Sequence, residues 1–318
     1  MIEITPWHWA GFVVCVLFFI ALDLGAFSRQ PGPRSFVQAL AWSTLWLLLA
    51  FLFALALNHW RGRGEATQFV TGYLIELSLS MDNILVIALI FAAFKVPLAL
   101  QSPALIWGIF GALTMRGIMI GVGAELIEHF SWVLYIFGIF LVFTGVKMAF
   151  SRAAEVKPEK HFLVRWVRKF YPVSDHFEGT RFLTWVNQQR ALTPLALVVL
   201  LVESSDLIFA LDSVPAVFSV TRDAFIVFTS NVFAILGLRS LYFMLAGALD
   251  YFRYLKFGLS LVLIFVGVKM LLEPHGREAQ WFQCSISNAT SLLVIATILG
   301  LAMTCSVVST RRERMRAR

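Results

Sequence analysis

Long apolar segments alternate with short polar ones along most of the chain. A helix of about 20 apolar residues crosses the roughly 30 Å hydrocarbon core of a bilayer, and the apolar segments have that length. One of them is uninterrupted, because no charged residue occurs between Phe36 and Asn58. The pattern therefore predicts an all-α polytopic membrane protein with about nine transmembrane helices. The predicted spans are residues 7–27, 36–58, 69–93, 104–124, 131–150, 196–219, 224–247, 254–272 and 288–308.

The composition agrees with this pattern and excludes several other classes of protein. Hydrophobic residues make up 59% of the chain and charged residues only 14%, whereas a soluble domain has about 25% charged residues. A disordered chain, a disulfide scaffold and an ordinary cytosolic enzyme are therefore excluded. Cys15, Cys284 and Cys305 are too few and too scattered for a disulfide framework or a zinc knuckle. Glu3 and His8 begin the first segment in place of Lys or Arg, which argues against a cleaved secretory signal.

The distribution of Lys and Arg predicts the orientation. In a nine-helix chain the loops after helices one, three, five and seven lie on the same side as the C-terminus. These loops and the tail carry 18 of the 26 basic residues, and the opposite loops carry four. The excess predicts a multi-pass membrane protein with its N-terminus outside and its C-terminus in the cytoplasm. The net charge of +7 then reflects topology and attraction to membrane lipid, so we expect no nucleic acid partner.

Short motifs recur in the same order in the two halves of the chain. Met81-Asp82-Asn83 matches Leu211-Asp212-Ser213, and a Gly-Val-Lys-Met motif occurs at residues 145–148 and again at 267–270. The other matched pairs are Glu76 with Asp206 and Arg116 with Arg239. A unit of three helices is odd, so its second copy must cross the membrane in the opposite direction, as in many secondary transporters. The sequence therefore predicts two inverted three-helix repeats; the alternative is an old duplication kept only for packing.

The segment between the repeats has its own pattern. Apolar residues recur there at helical spacing among Lys and Arg, which predicts an amphipathic helix on the cytoplasmic surface. These apolar residues are Phe162, Leu163, Trp166, Val167 and Phe170. The predicted organisation is two leading helices in 1–64, a first repeat in 65–150, a basic cytoplasmic linker in 151–190, a second repeat in 191–272, and a last helix with a basic tail in 273–318.

Charged residues inside the predicted spans are the main candidates for function, because each costs about 2.5–3.5 kcal/mol at a helix centre. They are Asp23, Glu76, Asp82, Glu203, Asp206, Asp212, Arg116 and Arg239. Six acids against two arginines leave four negative charges, which protonation or a bound cation would balance. The alternative is a set of internal salt bridges that only fixes the packing. Lys147 and Lys269 lie at span ends and are expected to reach the interface.

Nearly all the candidate ligands are oxygen atoms, with Asn83, Asn231 and Ser213 beside the carboxylates. Such a set favours Mg²⁺, Ca²⁺ or Mn²⁺ over Zn²⁺ or Cu⁺. In a regular helix Asp82 points about 120° away from Glu76. The two acids can therefore reach one ion only if the helix unwinds near residue 82, or if ligands from both repeats meet. Pro215 lacks an N–H and frees the carbonyl of the residue four positions earlier, beside Asp212.

These motifs resemble those of the TerC family of membrane proteins, and most closely its bacterial Alx branch. The resemblance implies a location in the bacterial inner membrane. The similar stretches are Gly72–Glu76, Ser80–Asn83, Val202–Asp206, Phe209–Ala216 and Ser230–Arg239. The resemblance implies manganese export and relief of manganese excess, with links to alkaline-pH response and tellurite resistance. Some members are described as membrane-bound redox modulators. By position, it implicates Glu76, Asp82, Asn83, Glu203, Asp206 and Asp212 in ion handling, with Asp23 as a further contributor.

The leading hypothesis is therefore a secondary transporter, not an enzyme, that exports a divalent cation and exchanges it for protons. Mn²⁺ is the expected substrate, and we expect no bound organic cofactor. The second hypothesis is a redox or envelope-stress protein without transport of its own, although the chain lacks a Cys-x-x-Cys pair. A third is an intramembrane enzyme or an assembly partner. A protease using Asp82 and Asp212 is the enzyme considered, and the lack of a flanking glycine pattern argues against it. The sequence carries no signal for a particular oligomeric state.

Overall fold

The computed structural model consists almost entirely of helices. It describes residues 5–28, 36–150, 162–186, 188–245, 255–273, 284 and 286–316. The helices are α1 Pro6–Ser28, α2 Phe36–Trp60, α3 Arg63–Ala93, α4 Leu98–His129, α5 Val133–Phe150, α6 Phe162–Phe170, α7 Pro194–Phe218, α8 Ala224–Leu245, α9 Leu255–Leu272 and α10 Asn288–Arg316. The strands β1 Leu183–Val186 and β2 Gln189–Leu192 form an antiparallel hairpin.

Every predicted span coincides with a helix. Within the described residues, seven helices are long and apolar enough to cross a membrane: α2, α3, α4, α5, α7, α8 and α10. The chain is therefore an all-α polytopic membrane protein. Several helices are longer than the predicted spans. Helix α10 continues to Arg316 because its charged end consists of good helix formers without Gly or Pro.

The central helix α3 is regular throughout. It runs without interruption from Arg63 to Ala93, so the unwinding considered near Asp82 does not occur. No Gly or Pro lies between Leu74 and Ala93, and the backbone hydrogen bonds can therefore continue through this stretch. Pro215 lies within the last turn of α7 and leaves that helix intact up to Phe218.

Four helices form the centre of the bundle, with α3 and α4 each packed against both α7 and α8. Beside them, α5 and α9 pack against each other so closely that their glycines meet backbone atoms. A Cβ added at Gly138 would lie 3.1 Å from the Gly267 carbonyl oxygen, and one added at Gly145 would lie 2.9 Å from the Ser260 carbonyl oxygen. Since the partner position on α9 falls as the position on α5 rises, the two helices are antiparallel.

The linker contains the predicted helix and a hairpin that the sequence pattern does not predict. In α6, Val164 and Val167 are buried against the start of α7, whereas Trp166 and Phe170 are exposed. The side chains of Phe162 and Leu163 lie outside the described residues. The sequence pattern does not predict the hairpin, because β1 buries Thr184 and exposes the apolar side chains on either side of it. A strand on a soluble surface usually buries its apolar residues and exposes its polar ones.

Candidate functional site

A cluster of buried polar side chains centres on the guanidinium of Arg116 in α4. This side chain is 1% exposed. Its Nε and Nη2 donate to the two carboxylate oxygens of Asp206 in α7, at 3.3 and 2.9 Å. Its Nη1 donates to Asn231 Oδ1 in α8 at 3.1 Å and forms an ion pair with Glu76 in α3. Side chains from all four central helices therefore meet at one planar group.

Asn83 extends the cluster along α3. Its Nδ2 donates to Asp206 Oδ1 at 3.3 Å. Positions 76, 80 and 83 lie on one face of a regular helix, so Ser80 stands between Glu76 and Asn83. The face therefore presents a carboxylate, a hydroxyl and an amide to the same buried region.

Several oxygen atoms near this cluster are buried without a partner. Among the described residues, Ser80 Oγ, Asn83 Oδ1 and Ser213 Oγ accept or donate no hydrogen bond. Buried polar atoms are normally satisfied, and an exception calls for an ion, a water molecule or a functional role. Asn83 and Ser213 are also the residues that the repeated motif matches with each other.

The cluster is not electrically balanced by Arg116 alone. Glu76 and Asp206 carry two formal negative charges when ionised, and one guanidinium neutralises only one of them. The second predicted arginine, Arg239, is also buried, at 1% exposure, and lies two helical turns beyond Asn231 on α8. Arg116 thus pairs with two carboxylates of the predicted spans. The capacity of the cluster to bind an ion stays a prediction.

Glu203 lies one turn before Asp206 on α7 and reaches the backbone of α4. Its carboxylate occupies the space that a Cβ on Gly111 would fill. The Oε2 atom is buried and has no hydrogen-bond partner among the described residues. The role of Gly111 was missed by sequence reasoning; its only signal is a glycine in the middle of a long apolar helix.

Asp82 and Asp212 lie on other faces of their helices. Asp212 lies beside Thr144 and interacts electrostatically with Lys147, both on α5, while Asp82 interacts electrostatically with Lys256 on α9. Asp82 follows Glu76 by six residues, and Asp212 follows Asp206 by six. In a regular helix this spacing points the second acid about 120° away from the first. Accordingly, no three His, Cys, Asp or Glu side chains of the described part come within reach of one metal ion.

Two predicted groups lie elsewhere. Asp23 is in α1, and its side chain lies outside the described residues. Lys269 was expected to reach the membrane interface, which is wrong: it is 1% exposed and donates to Asn288 Oδ1 at 3.3 Å. Glu273 pairs with it at 3.7 Å. The start of α10 covers this lysine, so its charge is satisfied inside the protein.

The sequence matches the family model "Integral membrane protein TerC family" over residues 61–314. The chain belongs to the TerC family. It is 47% identical over 307 residues to "Uncharacterized membrane protein STKORF319" of Myxococcus xanthus, covering 96% of this chain and 94% of that one. It is 47% identical over 277 residues to "Putative membrane-bound redox modulator Alx" of Escherichia coli (strain K12), covering 84% and 86%. No solved structure matches the chain.

These comparisons confirm the resemblance to the TerC family and to Alx proteins. The matched region begins before α3 and ends in α10, so it includes the whole Arg116 cluster. In this TerC protein, the motif residues Glu76, Asn83, Asp206 and Asn231 are also the ones that contact Arg116 or each other. The stretches that carry the family resemblance therefore converge in space at the centre of the bundle.

Proposed function

We propose that this TerC protein is a secondary transporter that exports a divalent cation, with Mn²⁺ as its principal substrate. The observation that carries the proposal is the buried oxygen cluster of Glu76, Asn83 and Asp206 between α3, α4 and α7. Carboxylate, amide and hydroxyl oxygens are the ligands that hard divalent cations prefer. Ionisable groups at membrane depth are costly, and they usually mark an ion pathway.

The outer acids fit a pathway that leads to and from the cluster. Asp82, Glu203 and Asp212 are only partly buried, and they lie on the same two helices as Glu76 and Asp206. A cation entering the cluster competes with Arg116 for the carboxylates, so occupancy requires a rearrangement of that ion pair. Each carboxylate accepts either a proton or the metal, which couples export to proton entry.

The packing of α5 against α9 supports the inverted repeat. The Gly-Val-Lys-Met motifs are 122 residues apart, and the same shift carries Gly138 to Ser260 and Gly145 to Gly267. Under this shift the pair Gly138 and Gly267 corresponds to the pair Ser260 and Gly145. The residues of each pair are in close contact. Equivalent, antiparallel contacts are what a pseudo-two-fold axis in the membrane plane produces. We propose nine crossings on this basis, with the N-terminus outside and the basic linker and tail in the cytoplasm.

Cellular manganese content in an export-deficient bacterial strain tests the proposal. The wild type is compared with Asp82→Asn, Asp206→Asn and Asp212→Asn at equal membrane levels. We expect the wild type to lower manganese content and restore Mn²⁺ tolerance, and the three variants to fail. Glu125→Gln is the matched control, because Glu125 lies on α4 with an exposed side chain outside the cluster. Full activity in all three site variants would make these carboxylates structural.

A second candidate function is favoured by the relatives' printed name, membrane-bound redox modulator. It requires a group that accepts and donates electrons. The absorption spectrum of the purified protein separates the two candidates, since a bound haem or flavin absorbs visible light. A stoichiometric chromophore together with no effect on manganese would favour the redox function.

A further inference from the structure

The linker presents an unusual surface beside the helix bundle. We call it the α6–hairpin surface. Its residues are Arg165, Trp166, Arg168, Lys169, Phe170, Leu183, Trp185 and Arg190, all exposed. It does not overlap the Arg116 cluster.

The α6 helix is fixed to the bundle through one narrow face. Val164 and Val167 are buried at 1% and 8% exposure and pack with residues at the start of α7, including Leu195 and Val198. With nine residues, α6 is only about 14 Å long and cannot span a bilayer. It therefore lies on the bundle as a short surface helix whose opposite face is directed away from the protein.

That opposite face mixes large aromatic residues with cations. Trp166 is 55% exposed and Phe170 is 59% exposed, and their rings pair at 4.8 Å. Arg165, Arg168 and Lys169 surround them. An exposed face of this kind is unfavourable in water but is typical of helices that lie in the headgroup region of a membrane.

The hairpin continues the same chemistry. Strand β1 exposes Leu183 and Trp185 while burying Thr184. The guanidinium carbon of Arg190 lies 5.7 Å from the Trp185 ring centroid, a cation–π arrangement. A small hairpin with apolar side chains outside and a hydroxyl inside is suited to an apolar environment rather than to bulk water.

A contact with α4 indicates the depth of this surface relative to the bilayer. Phe182, just before β1, packs against Trp107 of α4 with ring centroids 5.4 Å apart. Trp107 is 53% exposed on a helix that is long and apolar enough to span the membrane. Tryptophans on such helices concentrate at the membrane–water interface. The hairpin therefore borders the lipid-facing wall of the bundle.

The charge of the segment determines which lipids it suits. Within the described residues 164–192, five basic side chains are exposed and only two acidic ones: Arg165, Arg168, Lys169, Arg181 and Arg190 against Asp175 and Glu178. Basic residues next to interfacial aromatics attract anionic lipids. We propose that the α6–hairpin surface lies in the bilayer interface and binds the headgroups of acidic phospholipids.

Native mass spectrometry of the purified full-length protein in neutral detergent tests this binding site. Phosphatidylglycerol and phosphatidylcholine are titrated separately onto the wild type and onto Arg165→Gln/Arg168→Gln/Lys169→Gln. We expect the wild type to retain phosphatidylglycerol preferentially, and the triple variant to lose about tenfold to a hundredfold in affinity for it. Affinity for phosphatidylcholine should not change.

The matched control is Arg311→Gln/Arg312→Gln/Arg314→Gln, which removes the same charge from the tail. Preferential binding retained in this control supports a local site, and an equal loss in both triple variants overturns it in favour of overall charge. Elution volume and unfolding temperature check that the first variant is folded. Trp166→Ser/Phe170→Ser removes the aromatic contacts without changing the charge and should also weaken binding. A wild type without lipid preference would overturn the proposal.

Discussion

At the residue scale, Arg116 has a role that a lysine could not fill. Its planar group holds Asp206 through two parallel hydrogen bonds and still reaches Asn231 and Glu76. A lysine offers a compact point charge without this fork geometry. The cluster therefore depends on the shape of the cation as well as on its charge.

Arg116→Gln should destabilise the protein by about 3–5 kcal/mol, because it leaves Glu76 and Asp206 buried without their cation. Denaturant unfolding in detergent measures the change. The double variant Arg116→Gln/Asp206→Asn should recover part of the loss, since it also removes one uncompensated charge. Additive effects of the two changes would show that the ion pair is not what stabilises this region. Arg181→Gln, at an exposed position of the linker, serves as the control.

The absence of a side chain at Gly111 leaves room for the Glu203 carboxylate. Gly111→Ala should reduce Mn²⁺ export about as much as Glu203→Gln, because the new methyl group takes the place of the carboxylate. The cost in stability should be small, since the end of a flexible side chain can move away. Gly121→Ala is a matched control on the same helix, where a Cβ meets no described atom within 4 Å. Export by Gly111→Ala at the wild-type rate would mean that the position of Glu203 is unimportant.

At the element scale, the glycines of α5 and α9 allow the two backbones to approach. Gly145→Ala and Gly267→Ala should each destabilise the protein by about 1–3 kcal/mol, because the added Cβ meets backbone atoms that cannot rotate away. Unfolding midpoints in detergent measure this effect. Gly300→Ala on α10 meets no described atom within 4 Å and should be close to neutral. A neutral Gly267→Ala would indicate that α5 and α9 are farther apart in the membrane.

The elements differ in how well the sequence predicts them. Transmembrane helices follow from hydropathy alone, because lipid forces backbone groups to bond within each segment. The α6 helix is also predicted, but which of its faces docks is not: Val164 is buried and Trp166 is exposed. The hairpin is not predicted from the sequence, because its apolar residues point outward. Both misses have one cause, since a segment in the interface does not have to hide its apolar face.

At the scale of the whole molecule, the candidate site could be predicted only in part. Charges within apolar spans identify Glu76, Asp206 and Arg116 as residues that need partners, and the structure brings these three together. The geometry that separates Asp82 and Asp212 from them depends on the regularity of α3 and α7, which hydropathy does not determine. The need for Gly111 depends on how α4 and α7 cross, and no local pattern encodes that crossing.

The proposed exchange of Mn²⁺ for protons belongs to the whole molecule rather than to one residue. A carboxylate must be deprotonated to bind a metal ion, so Mn²⁺ and protons compete for the same oxygens. The affinity of the purified protein for Mn²⁺ should therefore fall when the pH is lowered from 8 to 6. For each proton that the metal ion displaces, the expected fall is about tenfold per pH unit. Calorimetry in buffers of different ionisation enthalpy should detect the released protons. Affinity that does not vary with pH, in a protein that still exports manganese, would contradict proton exchange and leave a transporter driven by another gradient.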